Sequence, residues 1–313
     1  MKRLVQAIAI LWAEAWAWLM LSSTFSTDKK KNSERKIKLL IHSIEKGLCL
    51  KEVKVGFGKA KITELVKYIS IYESIQGKED YLVVQAKYAV NEYINFHKKS
   101  NYDVSSYVKP YDIEDRLIKA YEMPGVAERH SYEDNKLKGL NYEELVTLRH
   151  STRTFSDKDI DYNKLREAIE LARVSAPSAC NRQSVKVYCV KEKEALRKVL
   201  SIQGGNRGFG ESAKAVLVVT ADLKMYAGVE KKLPLVDGGV FINALANSLF
   251  YKGIANCILH GSLTGGKEKN VKKICGIKSH EMVVAFIALG AYEKDYMVAV
   301  SPRKPLSETY TEV

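Results

Sequence analysis

The chain has 313 residues, 46% of them hydrophobic and 28% charged, with a formal net charge of +13. That length supports a full buried core and favours two domains over one. The charge suits nucleic acid, an anionic membrane surface or a phosphorylated small molecule, but no zinc-finger, recognition-helix or stacking-aromatic pattern supports nucleic acid, and the cations are spread along the chain.

In chain order, "LVQAIAILWAEAWAWLML" (residues 4–21) follows Met1-Lys2-Arg3 and is apolar except for Gln6 and Glu14. Its length matches a membrane span, yet Glu14 near the middle would cost about 2.5–3.5 kcal/mol there. Residues 1–25 are therefore read as an apolar helix, buried, dimer-packing or lying on a membrane surface. A signal peptide or anchor is the alternative. "DKKKNSERKIK" (28–38) reads as a solvated linker.

Residues 26–139 read as a mainly helical, polar region. "KITELVKYISIYESI" (61–75) sets Ile62, Leu65, Val66, Ile69, Ile71 and Tyr72 on one helical stripe, and "YLVVQAKYAVNEYINFH" (81–97) repeats the pattern. "HSIEKGLCLKEVKVGFGKAK", with Gly47, Gly56 and Gly58, reads as a turn-rich connection. Pro110, Pro124 and Gly125 loosen the chain before a boundary expected at residue 140.

From there helices and strands alternate. "NYEELVTLRH" opens on Asn141 with Glu144 three residues later, a capping box. "YNKLREAIELARVS" carries Leu165, Ala168, Ile169 and Ala172 at helical spacing, with Asp161 as cap and Pro177 beyond its end. "SVKVYCV" (184–190) and the apolar run "AKAVLVVTAD" (213–222) read as strands. "LVDGGVFINALANSLFYKG" reads as a long apolar helix closed by Gly253, followed by strands "IANCILH" and "EMVVAFIALG" around a charged helix, "KEKNVKKICG". About four strands with long helices on their faces make residues 140–313 an α+β layered domain.

Five cysteines without CxxC spacing point to a reducing, cytoplasmic setting, and six histidines without ligand spacing leave no argued metal site. No Rossmann glycine fingerprint is present.

Three polar stretches carry chemistry. "RHSTRTF" (149–155) packs two arginines, a histidine and hydroxyls at a helix end, where Arg149 and Arg153, four apart, can hold a phosphate. "SAPSACNRQS" (175–184) offers Asn181 and Gln183, whose amides pair donor and acceptor in one plane, as a flat heteroaromatic ring requires. "VSPRKPLSETY" (300–310) presents Arg303 between Pro302 and Pro305. Taken singly, each is also an ordinary solvated segment.

As an ordered set, these stretches resemble the nitroreductase family of FMN-dependent oxidoreductases. The resemblance rests on R-x-S-x-R-x-F from Arg149 to Phe155, on P-S-x-x-N-x-Q at Pro177, Ser178, Asn181 and Gln183, and on R-x-P-L at Arg303, Pro305 and Leu306. It implies an α+β nitroreductase-like layered sheet with flanking helices, preceded by a helical N-terminal extension. It further implies FMN as cofactor, NADH or NADPH as electron donor, a small-molecule acceptor, ping-pong turnover, and a homodimer with flavin at the interface. Arg149, His150 and Ser151 would face the phosphate and ribityl end, with Arg153 near the pyrimidine edge. Pro177, Ser178, Asn181 and Gln183 would serve the ring and ribityl chain, His260 and Gly261 the ring's N5 side, and Arg303 the phosphate. The flavin would carry the chemistry, so no protein side chain is assigned as catalytic. The family's Pro-Trp pair is absent from "QSVKVY", and Cys180 is read as a small space-filling residue. Two other readings fit the resemblance: a flavin enzyme of another reaction (azoline oxidation, dehalogenation or flavin cleavage), or a non-enzymatic scaffold with a degenerate flavin fold.

Overall fold

The computed structural model describes residue 12 and residues 27–313 except 122, 124, 125, 134–136, 138, 228, 229 and 265. The apolar stretch 4–21 and its membrane-surface reading thus lie almost wholly outside the described residues, as do Pro124 and Gly125. The helices are α1 (Lys29–Leu48), α2 (Lys59–Gln76), α3 (Tyr81–Lys99), α4 (Asp115–Ala120), α5 (Tyr142–Leu148), α6 (Tyr162–Ser175), α7 (Lys193–Gln203), α8 (Leu233–Tyr251) and α9 (Lys267–Cys275). The strands are β1 (Ala127–Ser131), β2 (Val185–Val190), β3 (Ala215–Asp222), β4 (Ala255–His260), β5 (Glu281–Gly290) and β6 (Asp295–Ala299). β1 and β6 pair with each other, and the other four strands form one sheet.

The chain divides into a helical unit, residues 1–129 with 297–313, and a sheet unit, residues 130–296. This differs from the expected division at 140: the last stretch of chain joins the helical unit rather than the sheet. Local sequence patterning carries no information on where a tail packs.

In the helical unit, α1, α2 and α3 bury Ile37, Leu40, Ile41, Ile44, Ile62, Leu65, Ile69, Val83, Val90 and Tyr93 against one another. Each fully buried aliphatic side chain contributes about 1.5–3 kcal/mol. Of the stripe read in α2, Ile62, Leu65, Ile69 and Tyr72 are buried, and Val66 and Ile71 are half-buried. Two expectations fail. The supposed linker 28–38 and about the first third of the supposed turn form α1, capped by Asp28, whose carboxylate accepts from Lys31 N–H at 3.0 Å. Lysine and glutamate are good helix formers, and the buried Ile37, Ile41 and Ile44 were diluted among them. Position 47, inside α1, requires glycine because a Cβ there would stand 2.1 Å from the Phe57 ring. The glycine turn itself is pinned by buried His97, whose Nε2 accepts from Gly56 N–H at 2.9 Å while Nδ1 donates to the Tyr93 carbonyl at 2.8 Å.

The sheet unit is an antiparallel four-stranded sheet in the order β2-β3-β5-β4. α6 and α8 cover one face, where Leu165, Ala168, Ala172, Leu245 and Leu249 meet Leu217, Val219, Ile287 and Leu289. α7 packs on β3 and on α9. β3 is buried along its length, as its unbroken apolar run requires. The α+β layered sheet with flanking helices is therefore the observed architecture. α8 meets the length and composition of a membrane span, but the face that buries Leu245 and Leu249 is sheet core.

Candidate functional site

The capping box forms: Asn141 accepts from Glu144 N–H at 2.9 Å and Glu144 accepts from Asn141 N–H at 2.9 Å. α5 nevertheless ends at Leu148, and Arg149 is already extended (φ −65°, ψ 123°). Arg149 and Arg153 therefore do not share a helical face. The segment runs on as extended chain, with Thr152 N–H donating to the Asn256 carbonyl at 2.9 Å and Phe155 bridging Tyr292. Thr152 and Thr154 are buried, whereas Arg149, Ser151 and Arg153 are half-exposed. The alternation of a strand, not the turn of a helix, sets those three on one side. Arg153 Nε and Asn256 Oδ1 are both buried without a partner among the described residues.

His150 has its own occupation. Nδ1 donates to the Leu148 carbonyl at 2.7 Å and Nε2 accepts from the Tyr296 hydroxyl at 3.0 Å, the pattern of a neutral ring. The His130 ring lies 4.8 Å away and Phe250 5.7 Å. Burial above all, aided by His130 and Arg149, pulls its pKa down to about 4, against an opposing pull from the Leu148 hydrogen bond. With both ring nitrogens engaged, His150 braces the segment rather than presenting a donor to a ligand.

The second stretch is the most strained backbone of the unit. Cys180, Asn181 and Gln183 stand at φ 52°, 53° and 48°, a left-handed conformation costing about 1–2 kcal/mol for each non-glycine residue. A polar brace holds them. Buried Asp237, on the second turn of α8, accepts from Ala179 N–H at 3.0 Å and from the Tyr226 hydroxyl at 2.6 Å. The Tyr226 oxygen also contacts the Ser184 hydroxyl. Arg182 makes a two-pronged pair with Glu230 at 3.0 and 2.6 Å and lies over the Tyr226 ring. Burial first, then Asp237, raises the Tyr226 phenol, so it donates at neutral pH. Ser178 accepts from Gln183 N–H at 3.0 Å, and Gln183 Nε2 donates to Asn181 Oδ1 at 3.0 Å. Asn181, Gln183, Pro177 and Cys180 are exposed. Cys180 is thus no space-filler; it is part of the raised turn that presents both amides.

Gly261 follows β4, and a Cβ there would stand 2.2 Å from the Val284 carbonyl oxygen. Gly238 abuts the Val284 side chain from α8, at 2.8 Å for its own would-be Cβ. Val284 therefore brings the start of α8 and the end of β4 together beside the Asp237-braced loop. His260 is exposed, and its carbonyl accepts from Gln203 Nε2 at 3.2 Å.

Two groups result within the sheet unit, and one chain does not join them. Arg149–Arg153 lie by the Phe250 end of α8 and the Gly290 end of β5, where Gly290 packs under Phe155. The Ser178–Gln183 loop and Gly261 lie by Asp237 and Val284. Thirteen residues of helix separate the two ends of α8, about 20 Å, and six residues of β5 separate them by about the same. Arg303 belongs to the helical unit, where its guanidinium donates to the Ser301 carbonyl at 3.0 Å.

Residues 146–203, which contain the first two stretches, match the family model described as the nitroreductase family. A Streptococcus pyogenes protein provisionally named an NAD(P)H nitroreductase is 40% identical over 84 residues, covering 26% of this chain and 40% of the relative's length. Among solved structures, a provisionally assigned nitroreductase of Exiguobacterium sibiricum in complex with FMN is 17% identical, covering 56% of this chain and 98% of its own, with a TM-score of 0.49. A provisionally assigned NAD(P)H:FMN oxidoreductase of Staphylococcus epidermidis is 19% identical, covering 55% and 96%, with a TM-score of 0.48.

Within the matched segment and its surroundings, sequence reading missed Asp237, Tyr226, Arg182 and Glu230. An aspartate at the start of an otherwise apolar helix was the available signal, since a charge there requires a partner.

Proposed function

We propose that the sheet unit binds FMN between two copies of the chain and acts as an NAD(P)H-dependent oxidoreductase toward a small-molecule acceptor. One observation carries the reading: two nitroreductase-type residue groups sit about 20 Å apart at opposite ends of α8, and the helix between them leaves apolar residues uncovered. Leu235, Val236 and Val240 are 54%, 55% and 38% exposed, Tyr251 is 39% exposed, and Gly239 has open space above it. Packing α8 antiparallel against its copy about a two-fold axis would cover this stripe. The same operation would set Arg149, Ser151 and Arg153 of one chain against Ser178, Asn181 and Gln183 of the other.

The residues suit the cofactor. Arg153 Nε is a buried donor in want of an acceptor, which an anionic ring oxygen would supply. Asn181 and Gln183 offer amide edges on a rigid turn, and the bare backbone at Gly261 admits a flat ring at close range. Bound FMN would supply the hydride chemistry, and a fixed cation at its pyrimidine edge favours the reduced ring. The nicotinamide donor and the acceptor would use one cleft in turn, a ping-pong scheme that needs no second nucleotide fold. Arg303 stays outside this set, since its local partners are those of the helical unit. No two of the described cysteines form a disulfide, which suits a reducing compartment.

Purified protein should carry, or take up, FMN with a flavin spectrum, sediment as a dimer, and be bleached anaerobically by NADH or NADPH. Protein that takes up no FMN refutes the proposal. Flavin that neither nucleotide reduces would assign the unit to a different flavin reaction.

A further inference from the structure

The helical unit holds a cavity of about 250 Å³ between α1, α2, α3 and the C-terminal segment. The Tyr81 hydroxyl donates to the Arg303 carbonyl at 2.9 Å and fastens that segment to α3. Most charges around the cavity are matched. Glu34 is paired with Lys31 at 2.9 Å and Lys38 at 2.6 Å, and Lys304 Nζ donates to the Glu308 carbonyl at 2.9 Å, 3.9 Å from its carboxylate. Two are not. The Glu45 side chain is only 4% exposed, yet its carboxylate accepts one hydrogen bond, from the Ser301 hydroxyl at 3.2 Å. The nearest nitrogen, His42 Nδ1, is 3.8 Å away, beyond hydrogen-bonding reach. Arg303 has no acidic partner among the described residues and donates only to the Ser301 carbonyl. Ser301 thus stands between an unmatched carboxylate and an unmatched guanidinium.

A third group points into the same space. Tyr72 is 4% exposed and lines the cavity, and its hydroxyl has no partner among the described residues. A buried carboxylate that accepts a single hydrogen bond and a hydroxyl that faces the cavity without a protein partner both leave bonding capacity for a ligand.

We propose that this cavity is a binding site for a small zwitterion of the α-amino-acid class. The ammonium would bond Glu45 and the Tyr72 hydroxyl, and the carboxylate would meet the planar fork of Arg303, a geometry guanidinium groups favour. Ile41, Leu82 and Pro302 supply an apolar wall for a side chain. The volume of about 250 Å³ lies below the roughly 300–1,000 Å³ of pockets for drug-sized molecules and suits a small ligand. This site is independent of the flavin reading, because every residue in it belongs to the helical unit.

The test is titration of the full-length protein, by thermal shift and calorimetry, with glycine, L-alanine, L-leucine, L-phenylalanine, L-lysine and L-glutamate. Methylamine and acetate serve as half-ligands, and FMN binding is followed separately on the same sample. At least one amino acid should bind, with each half-ligand weaker by about tenfold or more. Glu45→Gln and Arg303→Gln should each weaken binding about tenfold or more, and Tyr72→Phe by a few-fold. Arg303 is exposed, so its substitution tests the idea even if Glu45→Gln fails to fold. No binding up to about 10 mM of any amino acid, binding unchanged in Arg303→Gln, or methylamine binding as tightly as the best amino acid would each overturn the proposal.

Discussion

Replacing Asp237 by asparagine tests the brace under the left-handed turn. The carboxylate accepts two hydrogen bonds, from Ala179 N–H at 3.0 Å and the Tyr226 hydroxyl at 2.6 Å. An asparagine oxygen can keep one, while its amide NH2 faces the other donor. Bonds to a charged acceptor are worth about 1.5–3 kcal/mol each. Tyr226 retains Ser184 as a neighbour, so the net loss should be about 2–3 kcal/mol rather than the sum of both. The left-handed φ values at Cys180, Asn181 and Gln183 store about 3–6 kcal/mol. Anchor and strain are thus of one size, and weakening the anchor should release the turn. Denaturant unfolding should show a stability loss of about 2–3 kcal/mol without FMN. FMN affinity, followed by flavin fluorescence, should fall about 10–100-fold, equivalent to about 1.4–2.8 kcal/mol. Tyr226→Phe should show the same signs at smaller size. Asp237→Asn protein that unfolds like the parent and binds FMN within about twofold of it would show that the turn is held by something else.

His150 is held neutral with its pKa lowered from 6.5 to about 4, so its contribution to stability is full above about 6.5 and is lost as pH falls toward 4. The loss at the acid end is about 3 kcal/mol, and His150→Gln should flatten that part of the stability–pH curve; an unchanged slope would place the titration elsewhere. Gly261→Ala puts a methyl 2.2 Å from the Val284 carbonyl oxygen and should destabilise the protein by about 1–3 kcal/mol on chemical denaturation. A neutral result there would mean that β5 yields freely. Val236→Asp, at a 55% exposed position, should leave monomer stability within about 0.5 kcal/mol yet yield a monomer by sedimentation that has lost FMN. A flavin-loaded dimer would move the interface off α8.

Much of the local structure was legible because it depends on neighbours in sequence. The capping box at Asn141–Glu144, the buried run of β3, the stripe of α2 and the apolar α8 all follow from spacing and side-chain type. The errors share one cause. α1 was hidden because lysine-rich composition reads as solvated chain, although its isoleucines fall at helical spacing. Arg149 and Arg153 were placed on a helix because nothing local marks its end after Leu148; hydrogen bonds to the Asn256 and Ala291 carbonyls draw the following residues out straight.

The residue types proposed to hold a flavin nucleotide, and their order along the chain, are legible in the sequence alone, because motif chemistry is a property of side chains and short spacings. The tertiary structure alone decided that Arg149–Arg153 and Ser178–Gln183 stand at opposite ends of α8, that Asp237 restrains the strained turn, and that Arg303 lines a cavity with Glu45 and Tyr72. These are contacts across tens to hundreds of residues, fixed by which apolar faces bury together, and no local pattern encodes which distant partner an aspartate or an arginine will meet.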